Sequence, residues 1–212
     1  MIKTIIFDLD GVLVDTKKVH FIALNLALKK VEKIEISYPD HLKIFDGLPT
    51  KSKIAILIDQ GKIKKRNIKL IYDLKQSYTM KILQKEIKYS EKIEKLFFKL
   101  NKKFKIGIAT NSIKKTLNLC LNSLKIKKYV DYAISTNDIK FSKPHPEIYL
   151  KCLINLESMP SETLVLEDSY FGRIAAKEAN CNLMPIKYLS DVTYVNINNF
   201  INNINLKNKT LD

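Results

Sequence analysis

The sequence predicts an α/β protein with a parallel-sheet core and a purely helical segment inserted after the first strand. From residue 89 onward, stretches with the pattern of buried strands alternate with stretches of helical periodicity. Such alternation is typical of a parallel sheet with helices on both faces. Between residues 16 and 88 the periodicity is helical, with no convincing strand. We therefore predict a core domain of residues 1–15 and 89–212 and a helical domain of residues 16–88.

The first strand is predicted in the apolar run that ends at Phe7. In the segment that follows, apolar residues recur at helical spacing from Val19 to Leu26, which predicts a helix over about residues 17–33. The stretch YPDHLKIFDGLPT is predicted to be a connecting loop. The stretches KSKIAILIDQ and NIKLIYDLKQSYTMKILQKEI continue the helical pattern.

The second part of the chain is predicted to alternate helix and strand to its end. Its strands are predicted in FKIGIATN, DYAIST, TLVLEDS and the short CNLMPI. Its helices are predicted in EKIEKLFFKLN, SIKKTLNLCLNSL, PEIYLKCLINL and FGRIAAKEAN. A last amphipathic helix is predicted around Ile197 to Ile204, and the residues from Lys207 are expected to fray.

The strongly basic composition does not indicate a nucleic-acid-binding protein. The formal net charge is +15, but only Arg66 and Arg173 among the 37 basic residues are arginine, the residue preferred for forked phosphate contacts. The lysines are spread over the whole chain, so we predict no specific nucleic-acid partner. A positive field would nevertheless attract anionic substrates.

The sequence shows neither a membrane-spanning run nor a signal peptide. We therefore expect a cytoplasmic protein without a membrane partner, and a monomer by default. The three cysteines have no CxxC pairing and are expected to be buried free thiols.

Two carboxylates, Asp8 and Asp10, follow the first predicted strand at alternate positions. In a strand such side chains point to the same face, about 7 Å apart. Two like charges this close raise a pKa and cost stability unless a cation lies between them. The pair therefore indicates a functional site.

The other predicted strands also end in polar residues, and the ends of parallel strands meet at one edge of a sheet. If these ends converge, four carboxylates meet there and require a divalent cation with hard oxygen ligands, for which Mg²⁺ is the common choice. A lysine beside them would bind a phosphoryl oxygen, and a helix N-terminus would offer N–H groups to an anion. The second strand is followed by Thr110, Asn111 and Ser112, the third by a loop with Lys143, and the fourth by Glu167 and Asp168.

Four motifs in this sequence closely resemble those of the haloacid dehalogenase superfamily of phosphotransferases. They are FDLDGVLVDT, IATNS, the lysine of SKPHPEIYL, and VLEDSYFGRIAA, in the order and spacing of the family. The resemblance covers essentially the whole chain. It implies a Rossmann-like core with a small helical cap, as in the branch that contains β-phosphoglucomutase and phosphoglycolate phosphatase.

The resemblance also implies catalytic roles. Asp8 would be the nucleophile that forms an aspartyl-phosphate, and Asp10 the general acid and then the general base. Mg²⁺ would be bound by the Asp8 carboxylate, the Asp10 carbonyl, Asp168 and, directly or through water, Glu167. Thr110 and Lys143 would hold the phosphoryl oxygens with help from Asn111, and Ser112 lies in the same anion seat.

Candidate substrate residues of the helical segment are matched less closely. His20 and Lys75 resemble a histidine and a lysine of the β-phosphoglucomutase cap, but packing and snorkelling are the alternatives. Gly47 and Thr50 match the substrate-specificity loop of such caps. Thr50 aligns with the arginine that grips the distal phosphate in β-phosphoglucomutase, so that grip is missing unless Lys51 replaces it.

Taken together, the residues and the resemblance predict a Mg²⁺-dependent phosphatase of a small phosphorylated metabolite, such as a sugar phosphate. The alternative is a sugar-phosphate mutase of the β-phosphoglucomutase type, against which the missing arginine counts. A remoter alternative is a non-catalytic basic binding module that retains the fold.

Overall fold

The structure is a computed structural model that describes the backbone of residues 1–209 and the side chains of residues 1–206. Its centre is a five-stranded sheet in which every strand pair is parallel, with the order β3-β2-β1-β4-β5. The strands are β1 (Thr4–Phe7), β2 (Lys105–Ala109), β3 (Tyr132–Ile134), β4 (Thr163–Glu167) and β5 (Asn182–Pro185).

The first strand lies in the middle of the sheet and is buried along its whole length. Its last residue, Phe7, is in register with Ile108 of β2 and Leu166 of β4. The three central strands therefore end at the same level, and the polar residues that follow them lie at one edge of the sheet.

Between β1 and β2 the described chain is helical. This helical segment (residues 17–86) contains α1 (Lys17–Glu32), α2 (Tyr38–Asp40), α3 (Thr50–Asp59) and α4 (Ile68–Glu86). The segment packs around a hydrophobic cluster of its own, which includes Leu24, Phe45, Leu57 and Ile71. The division of the chain into two domains with boundaries at residues 15 and 89 stays a prediction.

The stretch predicted to be a connecting loop, YPDHLKIFDGLPT, is partly helical. The short helix α2 continues into a π-helical turn over His41–Phe45. The helix forms because the Ser37 hydroxyl accepts a hydrogen bond from the Asp40 N–H at 3.1 Å, and Pro39 lies in the first turn, where a missing N–H costs nothing. The loop prediction was wrong for residues 38–45, because the Ser37 cap begins a helix there.

Helices cover both faces of the sheet, so the predicted fold class is confirmed. One face packs against α5 (Glu91–Asn101), α6 (Lys114–Ser123) and α9 (Tyr194–Lys209), and the other against α7 (Glu147–Asn155) and α8 (Tyr170–Glu178). The cysteines are buried free thiols, as expected. The last helix continues through Lys209, and residues 210–212 of the tail that we expected to fray lie outside the described residues. Over the described range, we find no helix both long and apolar enough to cross a membrane.

Candidate active site

A cavity of about 620 Å³ opens between the polar edge of the sheet and the helical segment. It brings together residues that are far apart in the sequence, because the strand ends form its floor and the helical segment forms its opposite wall. Thr110 and Glu167 are fully buried and do not line it. The predicted site residues that line it are Asp8, Asp10, Asn111, Ser112, Lys143 and Asp168 from the core, and His20, Gly47, Thr50, Lys51 and Lys75 from the helical segment.

Lys143 connects two of the predicted carboxylates beneath the cavity. Its Nζ donates to Asp8 Oδ1 at 2.6 Å, to Glu167 Oε2 at 2.7 Å and to the Ala109 carbonyl at 2.9 Å. Burial alone would lower the pKa of Lys143, but the charges of Asp8 and Glu167 raise it above its ordinary value. The ammonium is therefore held charged between the two acids.

Glu167 is fixed by as many donors as a carboxylate can accept. Tyr149 Oη donates to Oε2 at 2.6 Å, and the N–H and hydroxyl of Ser169 donate to Oε1 at 3.1 Å and 2.9 Å. With Lys143 these donors fill the four lone-pair positions. Gly172 makes this arrangement possible, because a Cβ there would lie 2.0 Å from the Glu167 carboxyl carbon. Glu167 thus orients Lys143.

The carboxylates form a cluster that fits a hard divalent cation. Oxygen atoms of Asp8, Glu167 and Asp168 lie within 4.8 Å of one another. Asp168 Oδ1 is buried and has no hydrogen-bond partner among the residues described. Burial, and then the charge of Glu167, raise the pKa of Asp8 well above its ordinary value, against the opposing effect of Lys143. Such a set of oxygen donors with excess negative charge is suited to a divalent metal ion.

Asp168 also makes an ion pair that connects the sheet edge to the helical segment. Lys17 Nζ lies 2.9 Å from Asp168 Oδ2 and 3.2 Å from Asp46 Oδ2, which belongs to the loop before α3. Burial raises the pKa of Asp168 to about 6, and the contact with Lys17 opposes this effect. Sequence reasoning missed Lys17, because nothing in the sequence distinguishes it from its neighbour Lys18.

Asp10 lies beside this cluster in a separate hydrogen-bond network. Its Oδ1 accepts from Thr16 Oγ1 at 2.5 Å and lies 3.1 Å from His20 Nε2. Its Oδ2 accepts from Thr110 Oγ1 at 3.0 Å and from Ser112 Oγ at 2.7 Å. Burial alone would raise the pKa of Asp10, but His20 and the hydroxyl donors lower it below its ordinary value. The Asp10 carboxylate is therefore ionised in the absence of substrate.

His20 extends this network to Lys75. His20 Nε2 carries the hydrogen, because it faces the ionised Asp10 carboxylate, which can only accept. Its Nδ1 is then the acceptor and lies 3.2 Å from Lys75 Nζ. Burial, and then the charge of Lys75, lower the pKa of His20 to about 4, so the ring is neutral at pH 7. It stabilises Asp10 through its N–H rather than through a positive charge. Burial and the nearby Lys53 lower the pKa of Lys75 to about 7.

Asn111 joins the core to the helical segment. Its side-chain nitrogen donates to the carbonyl oxygens of Gly47 at 3.0 Å and Lys143 at 3.4 Å, and its Oδ1 accepts from the Lys143 N–H at 3.2 Å. In this arrangement the side chain positions the Lys143 loop, and the phosphoryl contact predicted for Asn111 stays a prediction. The following residue, Ser112, precedes the helix α6, whose first residue is Lys114.

The first turns of α3 bring three more residues to the cavity. Thr50 Oγ1 accepts from Gln76 at 3.0 Å, while Lys51 is exposed at the rim. Lys53, which sequence reasoning missed, is buried with only 4% of its surface exposed. Lys53 lies in the apolar stripe of α3 that continues in Ile54 and Leu57, which is an unusual position for a lysine. This pattern could have identified Lys53 as a candidate site residue from the sequence.

Residues 5–186 match the family model of haloacid dehalogenase-like hydrolases. A search of curated proteins gave no match. Among solved structures, β-phosphoglucomutase (pgmB) from Clostridium difficile is 24% identical, with a TM-score of 0.83 over 97% of this chain and 100% of that chain. CbbY from Rhodobacter sphaeroides in complex with phosphate is 23% identical, with a TM-score of 0.76 over 89% of this chain and 88% of that chain. A predicted phosphoglycolate phosphatase from Haemophilus somnus is 20% identical, with a TM-score of 0.75 over 88% of this chain and 86% of that chain.

Proposed function

The chain belongs to the family of haloacid dehalogenase-like hydrolases, and on that premise we propose that it is a Mg²⁺-dependent phosphatase of a small phosphorylated metabolite, such as a sugar phosphate. One observation carries the proposal: the Asp8 carboxylate is held by Lys143 at 2.6 Å in a cavity whose wall also presents Asp10, ionised and hydrogen-bonded to His20. In this proposal Asp8 is the nucleophile and Asp10 is the proton carrier.

In the proposed reaction the Asp8 carboxylate attacks phosphorus, and the bond to the ester oxygen breaks. The leaving oxygen takes a proton from Asp10. Because an arriving phosphate brings negative charge near Asp10, the pKa of this carboxyl rises on binding and it takes up that proton. A water then attacks the aspartyl-phosphate and gives its proton to Asp10, which frees Asp8 and releases phosphate.

Lys143 serves this reaction by offsetting the charge of Asp8 and of the phosphoryl oxygens. Asp8 and Asp168, the Asp10 carbonyl, and Glu167 through water would hold Mg²⁺, which supplies further positive charge to the same oxygens. Thr110 keeps Asp10 in place through the hydrogen bond at 3.0 Å. The phosphoryl contact predicted for Thr110 stays a prediction, because this residue does not line the cavity.

We propose that the helical segment, within residues 16–88, acts as a cap over this site. Two contacts between the core and this segment support that role: Asn111 donates to the Gly47 carbonyl at 3.0 Å, and Lys17 Nζ lies 2.9 Å from Asp168 Oδ2. A closed cap excludes bulk water and brings His20 and Lys75 to the reacting groups.

The second candidate is a sugar-phosphate mutase, in which the aspartyl-phosphate would pass to a second substrate hydroxyl. The contact of Lys75 with His20, and of His20 with Asp10, favours it, because this network would move protons at a sugar hydroxyl as well as at water. Thr50, at the position of the missing arginine, counts against it. A non-catalytic binding module would not need the pairing of Asp8 with Lys143.

The test is phosphate release from hexose phosphates, pentose phosphates, phosphoglycolate and nucleotides with Mg²⁺, with hexose phosphates also checked for isomerisation. We expect release from a few related compounds by the unaltered protein and none by Asp8→Asn. Asp15→Asn is the matched control, since Asp15 is an exposed acid of the same motif outside the cavity and its loss should leave release unchanged. Isomerisation with little free phosphate would establish the mutase, and retained release in Asp8→Asn would refute the nucleophile.

A further inference from the structure

Lys17, the first residue of α1, bridges the helical segment and the core. Its Nζ lies 2.9 Å from Asp168 Oδ2 at the sheet edge and 3.2 Å from Asp46 Oδ2 in the loop before α3. The side chain of Asp168 is only 5% exposed, so solvent screens its contact with Lys17 weakly. Lys17 therefore places a positive charge on a carboxylate of the cluster that fits a divalent cation.

The two carboxylate oxygens of Asp168 differ in their surroundings. Oδ2 contacts Lys17, whereas Oδ1 is buried and has no hydrogen-bond partner among the residues described. The carboxylate lies close to the backbone at Gly11, where a Cβ would be 2.2 Å from Oδ2. Because both oxygens share one negative charge, a cation at either oxygen weakens the attraction of the carboxylate for a second cation.

The contact of Lys17 with Asp168 also holds the helical segment against the sheet edge. The loop that carries Asp46 lies beside the residue after Asp168, since a Cβ at Gly47 would be 2.8 Å from Ser169 Cβ. The hydrogen bond from Asn111 to the Gly47 carbonyl joins the same two parts of the chain without using a carboxylate of the cluster. Of these contacts, the Lys17 ion pair is the one that a metal at Asp168 would change.

We propose that Lys17 competes with the divalent cation for Asp168 and holds the helical segment closed until the cation binds. The inference rests on the proposed metal-dependent function and deepens it by naming a residue that regulates its metal site. When the cation binds, Lys17 keeps its contact with Asp46, which lies in the same segment, and the ion pair to the core weakens. Metal binding thereby prepares the segment to open for a substrate.

Coupling between two sites is reciprocal, so closure of the segment must weaken metal binding by the factor with which the metal weakens closure. This reciprocity gives two measurements that need no substrate. One is the affinity of the protein for the metal alone, and the other is the closure of the segment with and without metal.

The first measurement is the affinity for Mn²⁺, a hard cation that suits carboxylate ligands, from the electron paramagnetic resonance signal of the free ion. We expect Lys17→Met to bind Mn²⁺ at least about fivefold more tightly than the unaltered protein, because the competing charge is gone. Lys17→Arg keeps the charge and should bind within about twofold of the unaltered protein. Lys18→Met is the matched control, since Lys18 is exposed and its loss removes the same charge one residue away. Its affinity for Mn²⁺ should stay unchanged.

The second measurement is amide hydrogen exchange of residues 46–50, the stretch that begins with Asp46 and contains Gly47 beside Ser169. Added Mg²⁺ should speed exchange there in the unaltered protein and in Lys17→Arg. In Lys17→Met the exchange should already be faster without metal and should respond little to Mg²⁺. A purely structural role of Lys17 would speed exchange in Lys17→Met but leave the affinity for Mn²⁺ unchanged.

The outcomes separate this inference from the proposed function. Equal or weaker Mn²⁺ binding by Lys17→Met overturns the inference, and so does an equal gain in Lys18→Met, which would show a general effect of charge. Exchange at residues 46–50 that Mg²⁺ leaves unchanged or slows in the unaltered protein overturns it as well. If both measurements agree with the proposal but no substrate releases phosphate, the competition at Asp168 stands and the phosphatase falls. Phosphate release that requires Mg²⁺, with Mn²⁺ affinity unchanged in Lys17→Met, has the reverse meaning.

Discussion

Replacing Lys53 by methionine is predicted to stabilise the protein at neutral pH, although Lys53 lines the cavity of the candidate active site. Lys53 is 4% exposed and its pKa is lowered to about 8 from the ordinary 10.5, with burial as the leading cause. The folded protein therefore binds the proton less tightly than the unfolded chain does. Methionine has a similar length and carries no charge, so it avoids this cost.

The magnitude follows from the difference between the two pKa values. At about 1.4 kcal/mol for each pKa unit, lowering from 10.5 to about 8 corresponds to roughly 3 kcal/mol of lost stability below pH 8. Between pH 8 and 10.5 the unfolded chain keeps the proton that the folded protein has released, so the stability of the unaltered protein rises with pH. The advantage of Lys53→Met should then fall from roughly 3 kcal/mol at pH 7 to about 1 kcal/mol at pH 10.

The assay is urea unfolding of the unaltered protein and Lys53→Met at pH 7 and pH 10, without substrate. Removing Lys53 also raises the pKa of the neighbouring Lys75, which adds to the gain at pH 7, whereas titrating groups remote from Lys53 cancel in the difference. Lys62→Met should differ from the unaltered protein by no more than about 0.5 kcal/mol at either pH, because that side chain is exposed. A Lys53→Met protein that is less stable at pH 7, or a gain that does not shrink by pH 10, would refute the picture of an uncompensated buried ammonium.

Two further predictions concern the carboxylate cluster. Removing divalent metal with EDTA should stop phosphate release, and added Mg²⁺ should restore it. The reason is that Asp8, Asp168 and the phosphoryl group bring excess negative charge together. Release that does not change with EDTA would show that the reaction needs no metal. Gly172→Ala should abolish release and destabilise the protein by roughly 1–3 kcal/mol, since its Cβ would lie 2.0 Å from the Glu167 carboxyl carbon. Gly61→Ala is the control, because a Cβ at Gly61 meets nothing within 4 Å. The positive φ of 68° at Gly61 should make this variant less stable, but phosphate release should stay intact. Equal activity of the two alanine variants would contradict the role of Gly172.

The sequence predicts the fold well because hydrophobic periodicity specifies a parallel sheet directly. Once the strands are parallel, their carboxyl ends must lie at one edge, so the nearness of Asp8, Asp10 and Asp168 in the cavity follows from topology. The error at residues 38–45 is local, because the capping hydroxyl of Ser37 decides between helix and loop there.

Contacts over long sequence separations are the part that the sequence does not reveal. Tyr149 belongs to the apolar stripe of a helix, and only the packing of that helix on the sheet brings its hydroxyl to Glu167 at 2.6 Å. Asn111 was predicted to assist phosphoryl binding, but its side chain meets Gly47 and Lys143 because the helical segment folds back over the sheet edge. Such partners depend on how two units of the chain approach each other, which periodicity does not encode.

The central claim is that Asp8 becomes phosphorylated during turnover. The direct measurement is acid quenching of the protein with Mg²⁺ and a substrate that it hydrolyses, followed by peptide mass spectrometry of the segment that contains Asp8. The account predicts one added phosphoryl group on Asp8 in the unaltered protein and none in Asp8→Asn. Turnover with no phosphorylated Asp8, or a phosphoryl group on another residue, would contradict it.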